Sequence, residues 1–326
     1  MIERSRTTEK ATIAADASLY ALVENFFSKT FTTDNPLITE AIKRMLAAGG
    51  KRLRPRITLL CAEANGANAE DHLHLAAYME LIHVATLVHD DVVDHAQTRR
   101  GVNATAVDYG NRISVLAGDY LFAWIFKNVT SQYPAPIPNV LSATLADICD
   151  GEVLQLQALG NLELPLSAYV DIVMKKTASL FAASAECGAI MAGAPPRCVK
   201  ALRDFGLYYG IAFQMNDDVL DVTADAGTLG KPVGNDLAER KITIPLILAL
   251  ANADGNTRAL VERFYDERDD GDAAPVIDAI ARCGGVAATR KQIAQYATRA
   301  MLSLAPLDHT PAKAELVRLG EALIEE

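Results

Sequence analysis

Residues 70–95 read EDHLHLAAYMELIHVATLVHDDVVDH, and no proline or glycine interrupts them. Leu, Ala and Glu lose little rotamer freedom in a helix, so the stretch reads as one long helix. The same texture runs outward in both directions. Half of the 326 residues are apolar and only 6% are aromatic, which gives ample core material, and strictly alternating runs are scarce. Helices are predicted at 12–29, 36–48, 55–65, 70–95, 111–131, 137–158, 167–193, 197–223, 242–251, 257–268, 274–282, 286–304 and 311–325. Pro134, Pro136 and Pro138, then Pro195-Pro196, then Gly284-Gly285 break the junctions. No flexible linker or short repeat divides the chain. The expectation is therefore all-α, a single domain over 1–326 with 1–10 as a flexible N-terminal segment.

Composition also excludes some functions. Asp and Glu number 41 against 31 Lys and Arg, a formal charge of -10. That field opposes general nucleic-acid binding, so any phosphate site must be a local basic island. Cys61, Cys149, Cys187, Cys198 and Cys283 are odd in number and contain no C-x-x-C pair. Neither a disulfide framework nor a zinc site is indicated, and a reducing compartment suits them. The N-terminus lacks the apolar core of a signal peptide, and no apolar run approaches the ~20 residues of a membrane span. A soluble, cytoplasmic protein is expected.

Two segments differ from routine connections. Gly49-Gly50-Lys51-Arg52-Leu53-Arg54-Pro55 is a glycine pair followed by dense positive charge. Thr223 to Lys241 is rich in Gly, Asp and Lys, and no helix runs through Gly227, Gly230, Pro232 and Gly234. Loops of that length inside compact domains are usually functional or disordered.

The chemistry lies where the opening helix ends, at His89-Asp90-Asp91-Val92-Val93-Asp94. At ~100° per residue, Asp90 and Asp94 lie ~40° apart and Asp91 ~100° from Asp90. Carboxylates gathered on one side repel unless a cation sits between them, and an all-oxygen set favours a hard ion such as Mg²⁺. Taken alone, the cluster reads equally well as a solvated acidic turn. A second copy, Asn216-Asp217-Asp218-Val219-Leu220-Asp221, changes the weighing. Asp is a poor helix former, so two such triplets inside predicted helices need a reason. Facing clusters would make a multi-cation site able to grip a diphosphate. Positive charge flanks both: Lys51 and Arg54, Arg99-Arg100-Gly101, Lys176-Thr177, Lys231 and Lys241. The loop Gly227 to Pro232 is not a Walker A motif, because its spacing is wrong and proline follows the lysine.

The ordered series of these motifs resembles the trans-polyprenyl diphosphate synthases, a family of isoprenoid prenyltransferases, from about Ala48 to the C-terminus. The series also includes Gly118-Asp119, Gly151-Glu152, Phe213-Gln214 and Asp236-Leu237. The resemblance implies a helical bundle of the isoprenoid synthase type with a central active-site cavity, working as a homodimer. It implies Mg²⁺ on Asp90, Asp94, Asp217 and Asp221, with Asp91 and Asp218 also in the catalytic set alongside Lys176 and Lys231. Arg99, Lys176, Thr177, Gln214, Lys231 and Lys241 resemble the residues that hold the allylic diphosphate. Gly50, Lys51, Arg54, His83 and Arg100 resemble the isopentenyl diphosphate pocket. His83 lies seven residues before Asp90, on nearly the same helical face, whereas a lone helical histidine is usually only packed or exposed. Closure of the 223–241 loop would exclude water.

The chain departs from the pattern in two places. Arg240 precedes Lys241 where many relatives have Gly, and the terminus Leu323-Ile324-Glu325-Glu326 lacks the basic residue that some relatives carry. Product length is expected to follow the opening helix. Ala85, Ile82 and Met79 lie five, eight and eleven residues before Asp90, at depths of ~7.5, ~12 and ~16 Å. Family members with a bulky aromatic at the first of these positions stop growth early; here Ala85, followed by Thr86, leaves the tunnel open. Trp124, with Phe122 and Phe126, is a candidate for a deeper floor. A long product is expected, heptaprenyl to decaprenyl with octaprenyl central, from a farnesyl or geranylgeranyl primer and with hand-over at the membrane. The alternatives are a farnesyl or geranylgeranyl synthase, a class I terpene cyclase and a non-catalytic partner subunit.

Overall fold

A computed structural model describes residues 21–29, 32–99, 101–223, 233–266 and 272–325. Residues 1–10, the first part of the predicted 12–29 helix, Arg100, Lys231 and most of the loop assigned to closure lie outside them.

The described residues are helical almost throughout. The helices are α1 (helical at 21–29), α2 (Pro36–Ala47), α3 (Leu53–Glu63), α4 (Leu73–Val93), α5 (Thr105–Gln132), α6 (Pro136–Ala158), α7 (Leu166–Val173), α8 (Ser179–Met191) and α9 (Pro196–Thr223). They continue as α10 (Asn235–Ala238), α11 (Ile244–Leu250), α12 (Gly255–Asp266), α13 (Ala274–Arg282), α14 (Gly285–Ser303) and α15 (Pro311–Glu325). Local chemistry sets the boundaries. Asn35 Oδ1 accepts the Leu37 N–H at 3.0 Å, and Pro36 opens α2 where no backbone donor is needed.

Four features depart from the periodicity. A left-handed Gly110 (φ 78°) interrupts α5, so that a short helical turn from Thr105 precedes the helix predicted at 111–131. The predicted 167–193 helix carries a π-helical turn, Met174–Ala178, between α7 and α8. A two-stranded antiparallel hairpin, β1 (Thr98–Arg99) and β2 (Val102–Asn103), follows α4. One helical turn, α10, follows the Gly-rich loop. Each is too short to leave a periodic signal.

Backbone contacts group the chain into two compact units. One runs up to Pro138 and takes in Cys187–Gly193; the other comprises Asn139–Glu186 and everything from Ala194. In the first, α4 packs on α3 and antiparallel to α5, burying Leu75, Tyr78, Leu81, Ile82 and Ala85. Each large aliphatic side chain so buried stabilises by ~1.5–3 kcal/mol. In the second, α9 packs along α14 and against the π turn, burying Leu202, Phe205, Tyr209 and Met215. Each unit buries a long helix that ends in one of the acidic motifs.

Candidate active site

In the first unit the three carboxylates of the α4 motif are not equivalent. Asp91 is 1% exposed and accepts Arg99 Nε–H at 2.8 Å, with Arg99 Nη2 on the same oxygen. Burial pushes the Asp91 carboxyl up from its ordinary range, and the Arg99 guanidinium partly offsets this. The β1–β2 hairpin delivers that arginine. Asp90 and Asp94 are half-buried, and the Asp94 N–H closes the helix on Asp90 O at 2.8 Å. Beside them, His89 Nε2 lies 3.1 Å from Val115 O and 3.5 Å from Asp119 Oδ1. A Cβ on Gly118 would come within 2.3 Å of that nitrogen, so the glycine lets α5 pass the imidazole without displacing it.

The basic island divides. Arg52, 4% exposed, turns inward from a left-handed backbone (φ 48°). Its Nε donates to Glu24 Oε1 at 2.7 Å, Nη1 to Glu80 Oε1 at 2.9 Å and Nη2 to Leu46 O at 2.9 Å. Its guanidinium also lies over the Phe27 ring. Arg52 therefore holds the island together, while Lys51 is exposed, Gly50 half-buried and Arg54 buried at the start of α3. His83 is half-buried one turn after Glu80, and its carbonyl accepts the Thr86 hydroxyl at 2.8 Å.

Met79, Ile82 and Ala85 are fully buried in the α4 core. Trp124 meets Tyr78 edge-on at 5.8 Å, at the depth of Met79. Phe122 lies at the other end, 5.8 Å from the His89 ring, and so sits beside the acidic cluster rather than at a floor.

The second unit gathers more of the expected residues. Lys176, Thr177, Gln214, Asp218 and Lys241 line one cavity of about 140 Å³, together with Gln155, Tyr169 and Asp236. The π turn sets Lys176 and Thr177 there, as such insertions often do at functional sites. Lys176 Nζ donates to Gln155 Oε1 at 2.7 Å and pairs with Glu152. Gly151 lets α6 approach that turn, since a Cβ there would lie 2.6 Å from Lys176 N.

A hydrogen-bonded relay crosses the cavity wall. Thr177 Oγ1 donates to Gln214 Oε1 at 2.9 Å, and Gln214 Nε2 donates to Asp218 Oδ1 at 2.9 Å. Tyr169 Oη donates to Asp218 Oδ2 at 2.6 Å. Asp218 is 3% exposed, and burial pushes its carboxyl up to about 6 despite those donors. Burial beside these acids also holds the Tyr169 phenol well above its usual range. Asp217 is exposed, while buried Asp221 accepts the Asp236 N–H on Oδ2 at 3.0 Å. The middle acid of each motif is thus engaged by protein donors: Asp91 by Arg99, Asp218 by Tyr169 and Gln214.

Sequence reasoning gave no role to Tyr169, Gln155 or Arg52. Tyr169 lies seven residues before Lys176, a helical spacing that was a usable signal. For Arg52, charge alone does not distinguish an inward arginine from its exposed neighbour. Among the described residues no three His, Cys, Asp or Glu side chains converge as a ready-made metal cage, and no helix is long and apolar enough to cross a membrane.

Comparison with known proteins agrees with this geometry. The family model "Polyprenyl synthetase" matches residues 35–282. Octaprenyl diphosphate synthase of Escherichia coli (strain K12) is 36% identical over 294 residues, covering 90% of this chain and 91% of that protein. The crystal structure of a decaprenyl diphosphate synthase from Rhodobacter capsulatus superposes with a TM-score of 0.86 at 38% identity, covering 97% of each chain. A polyprenyl synthase from Caulobacter crescentus CB15, complexed with calcium and isoprenyl diphosphate, superposes with a TM-score of 0.89 at 37% identity, covering 97% of this chain and 96% of that one. An all-α fold that carries these motifs in this order, matched along nearly its whole length, belongs to the polyprenyl synthetase family and is a polyprenyl diphosphate synthase.

Proposed function

We propose that the protein condenses isopentenyl diphosphate with an allylic diphosphate to make a long all-trans polyprenyl diphosphate, heptaprenyl to decaprenyl in range. The observation that carries this is the cavity where Lys176, Thr177, Gln214 and Lys241 meet beside Asp218. Two ammonium groups and neutral donors next to a carboxylate suit a diphosphate that arrives with cations.

Lys176, Lys241, Thr177 and Gln214 bind the allylic diphosphate, joined by Arg99 and by Lys231. Lys51, Arg54 and His83, with Gly50 and Arg100, hold isopentenyl diphosphate. Asp90, Asp94, Asp217 and Asp221 would hold Mg²⁺. The donor set fits such an ion, because it is all carboxylate oxygen, the ligand type a hard cation prefers. The ion would supply electrostatic stabilisation of the diphosphate's negative charge. Asp91, held by Arg99, and Asp218, held by Tyr169 and Gln214, complete the catalytic set.

Cleavage of the allylic carbon–oxygen bond releases pyrophosphate, whose growing charge the fixed lysines stabilise. The double bond of isopentenyl diphosphate, held by its own basic residues, attacks the allyl cation, and this positioning removes the cost of a bimolecular encounter. Pyrophosphate then accepts the proton, as the family resemblance implies. The small Ala85 supports elongation past farnesyl length. Exposed Val107, Val115 and Leu116 on α5 support a homodimer. The chain acts as one catalytic domain in the cytoplasm, extends a farnesyl or geranylgeranyl primer and hands its product over at the membrane. Two complete acidic motifs disfavour a cyclase or a silent partner subunit.

Incubation with radiolabelled isopentenyl diphosphate, farnesyl diphosphate and Mg²⁺, followed by mass spectrometry of the dephosphorylated alcohols, tests this. The expected product carries seven to ten isoprene units. A cyclised hydrocarbon or no incorporation would defeat the proposal, and a product no longer than geranylgeranyl would defeat its long-chain part.

A further inference from the structure

Arg240 occupies a backbone conformation that suits glycine better than a residue with a side chain. Its φ is 61°, in the left-handed region that strains a residue bearing a Cβ. Strain of this kind persists where the surroundings hold the residue in place. Here they do. The Arg240 carbonyl accepts Gly160 N–H at 2.9 Å, and the Arg240 N–H donates to Leu237 O at 3.0 Å. The guanidinium lies 5.8 Å from the Tyr265 ring centroid. It also rests against Gly160, where an added Cβ would meet Nη2 at 3.2 Å.

The next residue inherits this order. Lys241 N–H donates to Asp236 O at 2.8 Å, and the Tyr265 hydroxyl donates to Lys241 O at 3.1 Å. The Tyr265 ring under Arg240 thus also anchors the Lys241 carbonyl. The Lys241 ammonium, 2.5 Å from Glu239 Oε2, lines the cavity with Lys176, Thr177 and Gln214.

We propose that Arg240 is a positioning residue: clasped between Gly160 and Tyr265, it fixes the Lys241 backbone so that the ammonium meets the allylic diphosphate. This rests on the assignment of Lys241 to that diphosphate. A merely structural arginine would change stability, whereas a positioning one changes the grip on one substrate and does so only through Lys241.

The test is a kinetic cycle with farnesyl diphosphate varied at saturating isopentenyl diphosphate and Mg²⁺. Arg240→Gly removes the guanidinium's contacts with Tyr265 and Gly160 but keeps the backbone bonds and a φ of 61° without strain, so circular dichroism should be unchanged. Its KM for farnesyl diphosphate should rise by about tenfold, with kcat and the KM for isopentenyl diphosphate within about twofold. Arg240→Lys, which keeps the charge but not the planar group, should not restore it. In a Lys241→Ala background Arg240→Gly should add nothing. An unchanged KM in Arg240→Gly, rescue by lysine, or an additive loss in the double variant would each overturn the proposal alone. An unchanged KM in Lys241→Ala would overturn the assignment of Lys241, and the proposal with it.

Discussion

Asp90, Asp91 and Asp94 share one helix end, yet their surroundings differ: Asp91 is buried against Arg99, whereas Asp90 and Asp94 are half-buried. The same division recurs in the other unit, where Tyr169 and Gln214 occupy both oxygens of Asp218 while Asp217 stays exposed. Asp90→Ala and Asp217→Ala should each lower kcat by at least ~100-fold, the scale of losing a positioned charge-stabilising group. Circular dichroism should not change, since neither substitution opens the core; near-normal turnover at saturating Mg²⁺ would remove that cluster from catalysis. Tyr169→Phe deletes one hydroxyl and leaves Asp218 Oδ2 without its buried donor. The expected cost is about 1–3 kcal/mol, read as a lower urea midpoint at constant m. Because Asp218 also anchors Gln214 and through it Thr177, kcat should fall as well. Lost stability with full activity would make Tyr169 purely structural.

At the scale of elements, the π turn shapes the cavity wall of the second unit, and each unit carries one acidic helix end. A regular helix through Met174–Ala178 would rotate Lys176 and Thr177 by part of a turn relative to α7, away from Gln155 and Gln214. α4 carries both the acid cluster at its end and the residues expected to set product length along its body, Ala85, Ile82 and Met79. Ala85→Tyr should shorten the product towards farnesyl or geranylgeranyl without abolishing turnover. Trp124→Ala, which removes the ring packed on Tyr78, should lengthen it. Mass spectrometry of the alcohols reads both outcomes, and an unchanged Ala85→Tyr product would move the floor off this helix.

At the scale of the whole molecule, the open question is assembly. Val107 and Val115 on α5 are exposed, and Leu116 is 55% exposed. Exposed apolar side chains on one element are candidates for a protein–protein contact where they form a contiguous patch. Leu116→Glu should convert a dimer into a monomer by light scattering after size exclusion, with helix content retained. A wild-type monomer, or a dimer undisturbed by Leu116→Glu, would place assembly elsewhere.

The sequence by itself determined the helical class, because composition and 3.6-residue periodicity are properties of neighbours along the chain. It also marked which acids and bases are candidates for the chemistry, because the D-D-x-x-D spacing and the order of basic motifs are linear signals. Tertiary structure decided what linear spacing does not encode. It turned Arg52 inward to Glu24 and Glu80 and left Lys51 exposed. It gave Asp91 to Arg99 through a hairpin too short for periodicity to reveal. It brought Tyr169 to Asp218, 49 residues away, and put a non-glycine residue, Arg240, into a left-handed turn. The physical reason is common to all four. Whether a polar side chain binds substrate or braces the fold depends on which donors and acceptors folding carries to it.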